Sequence, residues 1–160
     1  MGGGLRWVEL DEDLDYFVDD DLPGDGDQSS FTVDNDIKNH LIGLQFGGGV
    51  WMHPTHSLAV GVEAKVGAYA NWMERDSNLV RGDGLVGIDE ESSEVGFATI
   101  FEVSAETRWD VTPRIGLVAG YRFVQVNGAA LGTENLQENL SDPGEFQDLR
   151  DDGSAYWHGP

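Results

Sequence analysis

HLIGLQFGGGVWMHPTHSLAVGVEAKVGAYANWM, residues 40–73, decides how the rest of the chain is read. Its even positions His40, Ile42, Leu44, Phe46, Gly48, Val50 and Met52 are mostly apolar, and its odd positions Leu41, Gly43, Gln45, Gly47, Gly49 and Trp51 mostly small or polar. A two-residue period is the mark of a strand with two unlike faces. After Pro54-Thr55-His56 the pattern restarts, with Leu58, Val60, Val62, Ala64, Val66, Ala68, Ala70 and Trp72 against Gly61, Glu63, Lys65, Gly67, Tyr69 and Asn71. The stretch therefore predicts a hairpin. Keeping Met52 and Leu58 on one face predicts a three-residue connection, with His53 opposite Ser57, Gly47 opposite Glu63 and Gln45 opposite Lys65.

A strand of an ordinary sheet runs about 5–6 residues, whereas each arm here alternates for about twice that, close to the roughly 9–11 tilted residues that cross a bilayer. A barrel strand in lipid wants aliphatic residues outside and glycine, charged and amide residues inside. Both faces fit a transmembrane hairpin. The alternative is a soluble β-sandwich, in which a second sheet would bury Val60, Val62 and Val66.

Other segments repeat the pattern. Val95, Phe97, Thr99, Phe101, Val103, Ala105, Thr107, Trp109 and Val111 oppose Gly96, Ala98, Ile100, Glu102, Ser104, Glu106, Arg108 and Asp110. Beyond Thr112-Pro113-Arg114, residues Ile115, Leu117, Ala119, Tyr121 and Phe123 continue the apolar face, and the phase blurs at 124–127, as at a bulge. Pairing Val111 with Ile115 sets Ser104 opposite Arg122, with Glu102 and Glu106 as its diagonal neighbours. Residues 4–18 and 154–158 supply two more strands. Short turns at 54–56 and 112–114 alternate with long loops at 19–30, 74–94 and 128–152, the asymmetry of an outer-membrane barrel. The expected fold is all-β: an antiparallel up-and-down meander of about six long strands, part of a transmembrane β-barrel, with residues 1–160 one domain incomplete at both ends.

Of the 30 acidic residues, 12 fall between Glu9 and Asp36, 7 between Glu74 and Glu94, and 7 between Glu134 and Asp152. The net charge of −21 is thus segregated into the expected loops, and no basic surface is present to neutralise phosphates, which argues against nucleic acid as a partner. Absence of cysteine excludes disulfides and thiolate metal sites. No run of about 18 apolar residues predicts a membrane helix, and Met1-Gly2-Gly3-Gly4 carries no export signal, so a barrel reading implies a mature or truncated piece.

Asn39-His40-Leu41-Ile42-Gly43-Leu44-Gln45-Phe46-Gly47, Glu63-Ala64-Lys65-Val66-Gly67-Ala68-Tyr69-Ala70-Asn71, Gly120-Tyr121-Arg122 with Val126-Asn127-Gly128-Ala129-Ala130-Leu131, and Tyr156-Trp157-His158-Gly159 together resemble the outer-membrane β-barrel porins of planctomycete-type bacteria. Gly4-Leu5-Arg6-Trp7 with Asp11-Glu12 agrees. The resemblance implies a bacterial outer-membrane barrel and brings no catalytic or binding residue. The missing export signal and a last strand cut before an aromatic C-terminus depart from it.

Candidate sites are few. Asp19 to Ser30 lacks the calcium-loop spacing of an EF-hand. Gly82-Asp83-Gly84-Leu85-Val86-Gly87 is a formal G-x-G-x-x-G, but an acidic stretch rather than a helix follows it. His53 and His56 flank a turn without a third ligand nearby. No Ser-His-Asp elbow or phosphate loop is present, so neither a catalytic residue, a cofactor nor a metal site is expected. Gln45, Glu63, Lys65, Tyr69, Glu102, Ser104, Glu106, Arg108 and Arg122 are the lumen-facing candidates, their charges forming a structural ladder rather than an acid–base pair. The expected function is a porin-like or structural barrel. Its partners are membrane lipid, a lipopolysaccharide-type surface and, at the acidic loops, divalent cations; a rim of such loops would favour cation passage. The alternative is a soluble extracellular sandwich binding ligands through those loops.

Overall fold

The computed structural model describes residues 1–18, 30–81, 86–132, 150 and 152–160. Six strands, β1 (Gly2–Val18), β2 (Phe31–Thr55), β3 (Leu58–Arg81), β4 (Val86–Thr112), β5 (Ile115–Ala129) and β6 (Gly153–Gly159), form one antiparallel sheet in chain order. The expected meander is present. Among the described residues no β1–β6 pairing closes the sheet into a barrel.

The middle strands are longer than the sequence pattern suggested, at 25, 24 and 27 residues for β2, β3 and β4. Most of residues 74–94, expected as a loop, instead continues the β3–β4 ladder from Met73 opposite Glu94 to Leu79 opposite Ile88. Alternation persists there with its polarity reversed: Met73, Arg75 and Leu79 are buried while Glu74, Asp76 and Asn78 are exposed. The G-x-G-x-x-G stretch falls mostly outside the described residues.

In the β2–β3 hairpin, Gln45 faces Gly67, Gly47 faces Lys65 and Gly49 faces Glu63. This is two residues from the expected register. The sum of paired positions stays even, so every side chain keeps its predicted face. Thr55 pairs with Leu58 across an irregularity after Met52, leaving a two-residue turn at His56-Ser57 rather than three residues. In the second hairpin Ser104 does face Arg122, but an irregularity after Asp110 sets Ile115 opposite Thr112 rather than Val111. An extra residue at each tip twists the hairpin end without disturbing the ladder behind it. Next to the Leu58–Trp109 rung, Asp110 N on β4 donates to Ser57 O in the first turn at 2.8 Å.

The sheet rolls strongly. Arg6 on β1 donates to Glu102 on β4 at 2.9 Å, although β2 and β3 lie between them in the sheet. Val8 and Leu10 of β1 pack against a cluster of Leu41, Tyr69, Ala98, Ile100, Val126 and Ala129. That shared face is therefore concave. Glycines let rings lie flat on the wall: a Cβ on Gly61 would meet the Trp51 ring at 2.6 Å, one on Gly67 the Tyr69 ring at 2.6 Å, and one on Gly3 the Phe46 ring at 2.7 Å. At Gly43 the constraint is backbone itself, since a Cβ would lie 2.0 Å from Ala68 O. There β2 and β3 approach too closely for any other residue.

Candidate functional site

Rows across the sheet show where polarity changes. On the convex face, Trp7, Ile42, Ala70 and Phe97 form one row of facing residues, and Glu9, His40, Trp72 and Val95 the next. One step further the row reads Asp11, Lys38, Glu74 and Ser93, and beyond it stand Asp13, Asp36, Asp76 and Glu91. In the other direction the face stays apolar to the short turns, with Leu44, Phe46, Val50, Met52, Val62, Val66, Phe101, Trp109, Leu117 and Tyr121 all exposed. Val60 to Trp72 spans about 40 Å along the strand, or about 30 Å along a barrel axis at ~40° tilt.

The concave face changes in the opposite sense but nearer the short turns, since its buried apolar lining continues past Asn71 through Tyr69, Ala98, Ile100 and Val126. Beside the acidic rows it is a sealed interior of Val33, Ile37, Leu41, Met73 and Leu79, with Asn35, Asn39, Asn71 and Arg75 also buried. Opposite the lower half of the apolar belt, from the Lys65–Glu102 row to the short turns, it carries charge. All nine candidates named above lie on this face, because Gln45, Glu63, Lys65 and Tyr69 share the parity of buried Gly67 and Asn71, and the register aligns them with Glu102, Ser104, Glu106, Arg108 and Arg122.

Glu102 is the hub of this face. Only 3% exposed, it receives Arg6 at 2.9 Å, Lys65 Nζ at 3.2 Å and Arg122 Nε at 3.6 Å. Lys65 also approaches Glu63 at 3.5 Å. Arg122 was expected between two inward carboxylates, but Glu106 is engaged by Arg108 at 2.5 Å. Arg108 in turn lies over the Trp51 ring, 4.6 Å from its centroid, a cation–π contact. Arg6 was missed because only rolling of the sheet brings β1 to β4; its even parity, shared with Val8 and Leu10, was the available signal. His53 and His56 line one open depression with Trp51, Arg108 and Asp110.

The acidic groups expected in loops stand partly on strands. Asp13, Asp15 and Asp34 place carboxylate oxygens within 4.8 Å of one another on the convex face. The sequence hid this cluster because Asp34 faces Asp15 only through the β1–β2 register. A hydrogen bond with Asp15, then desolvation and repulsion from Asp15, Asp13 and Asp36, raises the Asp34 carboxyl above its ordinary value. A raised carboxyl binds its proton more tightly when folded, so its contribution is favourable below the usual carboxylate range and is lost as pH rises through the folded value. Asp34→Asn should raise the unfolding temperature at pH 7, by less in high salt because the site is exposed, and lose that advantage near pH 4. A gain that persists unchanged at pH 4 would show repulsion to be irrelevant.

No protein family, curated protein or solved structure matches this chain.

Proposed function

We propose that this chain forms wall of a bacterial outer-membrane β-barrel, porin-like or structural and non-enzymatic, with its apolar belt against lipid and its acidic extension outside the membrane, toward a lipopolysaccharide-type surface and divalent cations. One observation carries the reading: along the same strands the exposed face turns from acidic to apolar while the enclosed face turns from apolar to charged. A soluble sheet hides an apolar face and wets a polar one along its whole length, as this one does beyond Trp72. Between the Lys65–Glu102 row and the short turns it does the reverse, charging the inside and exposing the outside, which suits hydrocarbon around a watery interior. An exposed apolar face running from β1 to β5 far exceeds the scattered apolar residues normal on a soluble monomer. The resemblance to outer-membrane porins points the same way.

Refolding the chain with vesicles containing bromine-labelled lipid tests the reading. Trp7, Trp72 and Trp109 all stand on the convex face, so their emission should be quenched by the bromines, most strongly by those near the interfaces. A water-soluble monomer whose tryptophans remain unquenched would instead favour the sandwich, with its belt covered by protein.

A further inference from the structure

We propose that residues 128–132 form a strap that closes the interior of the rolled sheet at the level where its outer face turns acidic, and that solute passage requires the strap to be released; the second half rests on the barrel reading above. Gly128 starts the strap. Its φ of 81° is one that other residues rarely adopt, and a Cβ there would strike Phe97 O at 2.3 Å. Gly128 bulges the end of β5, where Ala129 still pairs with Gly153 of β6; beyond Ala129 the chain leaves the sheet for the concavity, and both Ala129 and Ala130 are wholly buried.

Two asparagines from the middle of the sheet hold it. Asn39 Nδ2 donates to Ala130 O at 2.8 Å while Asn39 Oδ1 accepts from Ala130 N at 2.9 Å, so one side-chain amide pairs with the strap as a neighbouring strand would. Asn71 Nδ2 donates to Gly128 O at 3.1 Å and to Asn39 Oδ1 at 2.9 Å. At the far side Gly132 N donates to Glu12 on β1 at 2.8 Å. Both asparagines are fully buried, a costly placement for an amide unless it is hydrogen-bonded. The strap thus runs from β5 past β3 and β2 to β1. Five residues reach at most about 17 Å, comparable to the interior of a narrow barrel that side chains alone can fill. Below it the apolar lining continues through Tyr69, Ile100 and Val126 to the charged face around Glu102; above it lie Ile37 and Met73, against which Ala130 packs.

The chain has no cysteine, so a designed pair can report on the strap without competing thiols. A Cβ at Gly132 would sit 3.4 Å from the Leu14 Cβ, near the roughly 3.5–4.5 Å of a disulfide. Leu14→Cys/Gly132→Cys should cross-link on mild oxidation in the folded full chain, in detergent or in lipid. In planar bilayers the oxidised form should stay closed. Asn39→Ala/Asn71→Ala should raise conductance at least tenfold over it. Should that pair fail to fold, Ala130→Asp, which expels the strap by burying a charge while leaving every strand intact, should do the same. Failure to cross-link overturns the strap. Equal conductance of locked and released forms overturns its closing role, as does absence of current in every form when flotation shows the protein in the bilayer, and both leave the barrel standing. Protein that never enters vesicles overturns the barrel and with it the gate, while the cross-link still decides whether the strap exists.

Discussion

Val66→Arg should lower the unfolding free energy of the lipid-embedded protein by about 2–4 kcal/mol, the cost of an Arg facing hydrocarbon near the bilayer midplane. Val66 sits mid-belt between Phe46 and Phe101, all three on the convex face and all exposed. In water an Arg at so exposed a site would cost almost nothing, about 0.5 kcal/mol at most. The effect therefore reads the solvent of the convex face rather than its packing. Glu74→Arg on the same strand and face, beyond Trp72, is the control and should change little. Urea titrations of both variants refolded with vesicles supply the comparison. Equal midpoints would mean that the belt does not meet lipid.

The fold was legible wherever alternation coincided with apolar content. Residues 40–73 and 95–123 showed their faces because small or charged residues separate each pair of large apolar ones, and the structure keeps every one of those faces. Register was less legible: a slip of two leaves each face unchanged, so pattern alone could not distinguish Gln45 opposite Lys65 from Gln45 opposite Gly67. The continuation of β3 and β4 past Met73 was missed because its outward residues are acidic and its inward ones mix Met73 with Arg75. Reading acidity as a loop signal overlooked the period that survived beneath it.

Contacts that depend on rolling were beyond the sequence. Nothing along the chain places Arg6 beside Glu102, 96 positions away, or Gly132 beside Glu12, 120 away. Asn39 and Asn71 looked like ordinary polar positions on strands. Their role appears only once the chain beyond β5 turns inward and offers them a backbone to hold.

Glu102→Gln should cost about 2–4 kcal/mol of folding stability, and the reason lies in what remains. Three cations converge on this carboxylate, and its removal leaves Arg6, Lys65 and Arg122 facing one another, with Glu63 near Lys65. Breaking a buried ion pair costs about 3–5 kcal/mol. Part of that is recovered here because the side chains of Arg6 and Lys65 are about one-third exposed and that of Arg122 is 64% exposed, so water can rehydrate them. Glu106→Gln removes a pair that is open on both sides, at 38% and 60%, and should cost no more than about 1 kcal/mol. Arg122→Leu, with a longer contact from an exposed side chain, should fall between Glu102→Gln and the turn variant Arg114→Leu. Arg6→Met combined with Glu102→Gln should cost less than the sum of the two, since each removes the same 2.9 Å bond between β1 and β4. Additive losses in that cycle, or equal losses for Glu102→Gln and Glu106→Gln, would show that the convergence on Glu102 does not hold the rolled sheet together.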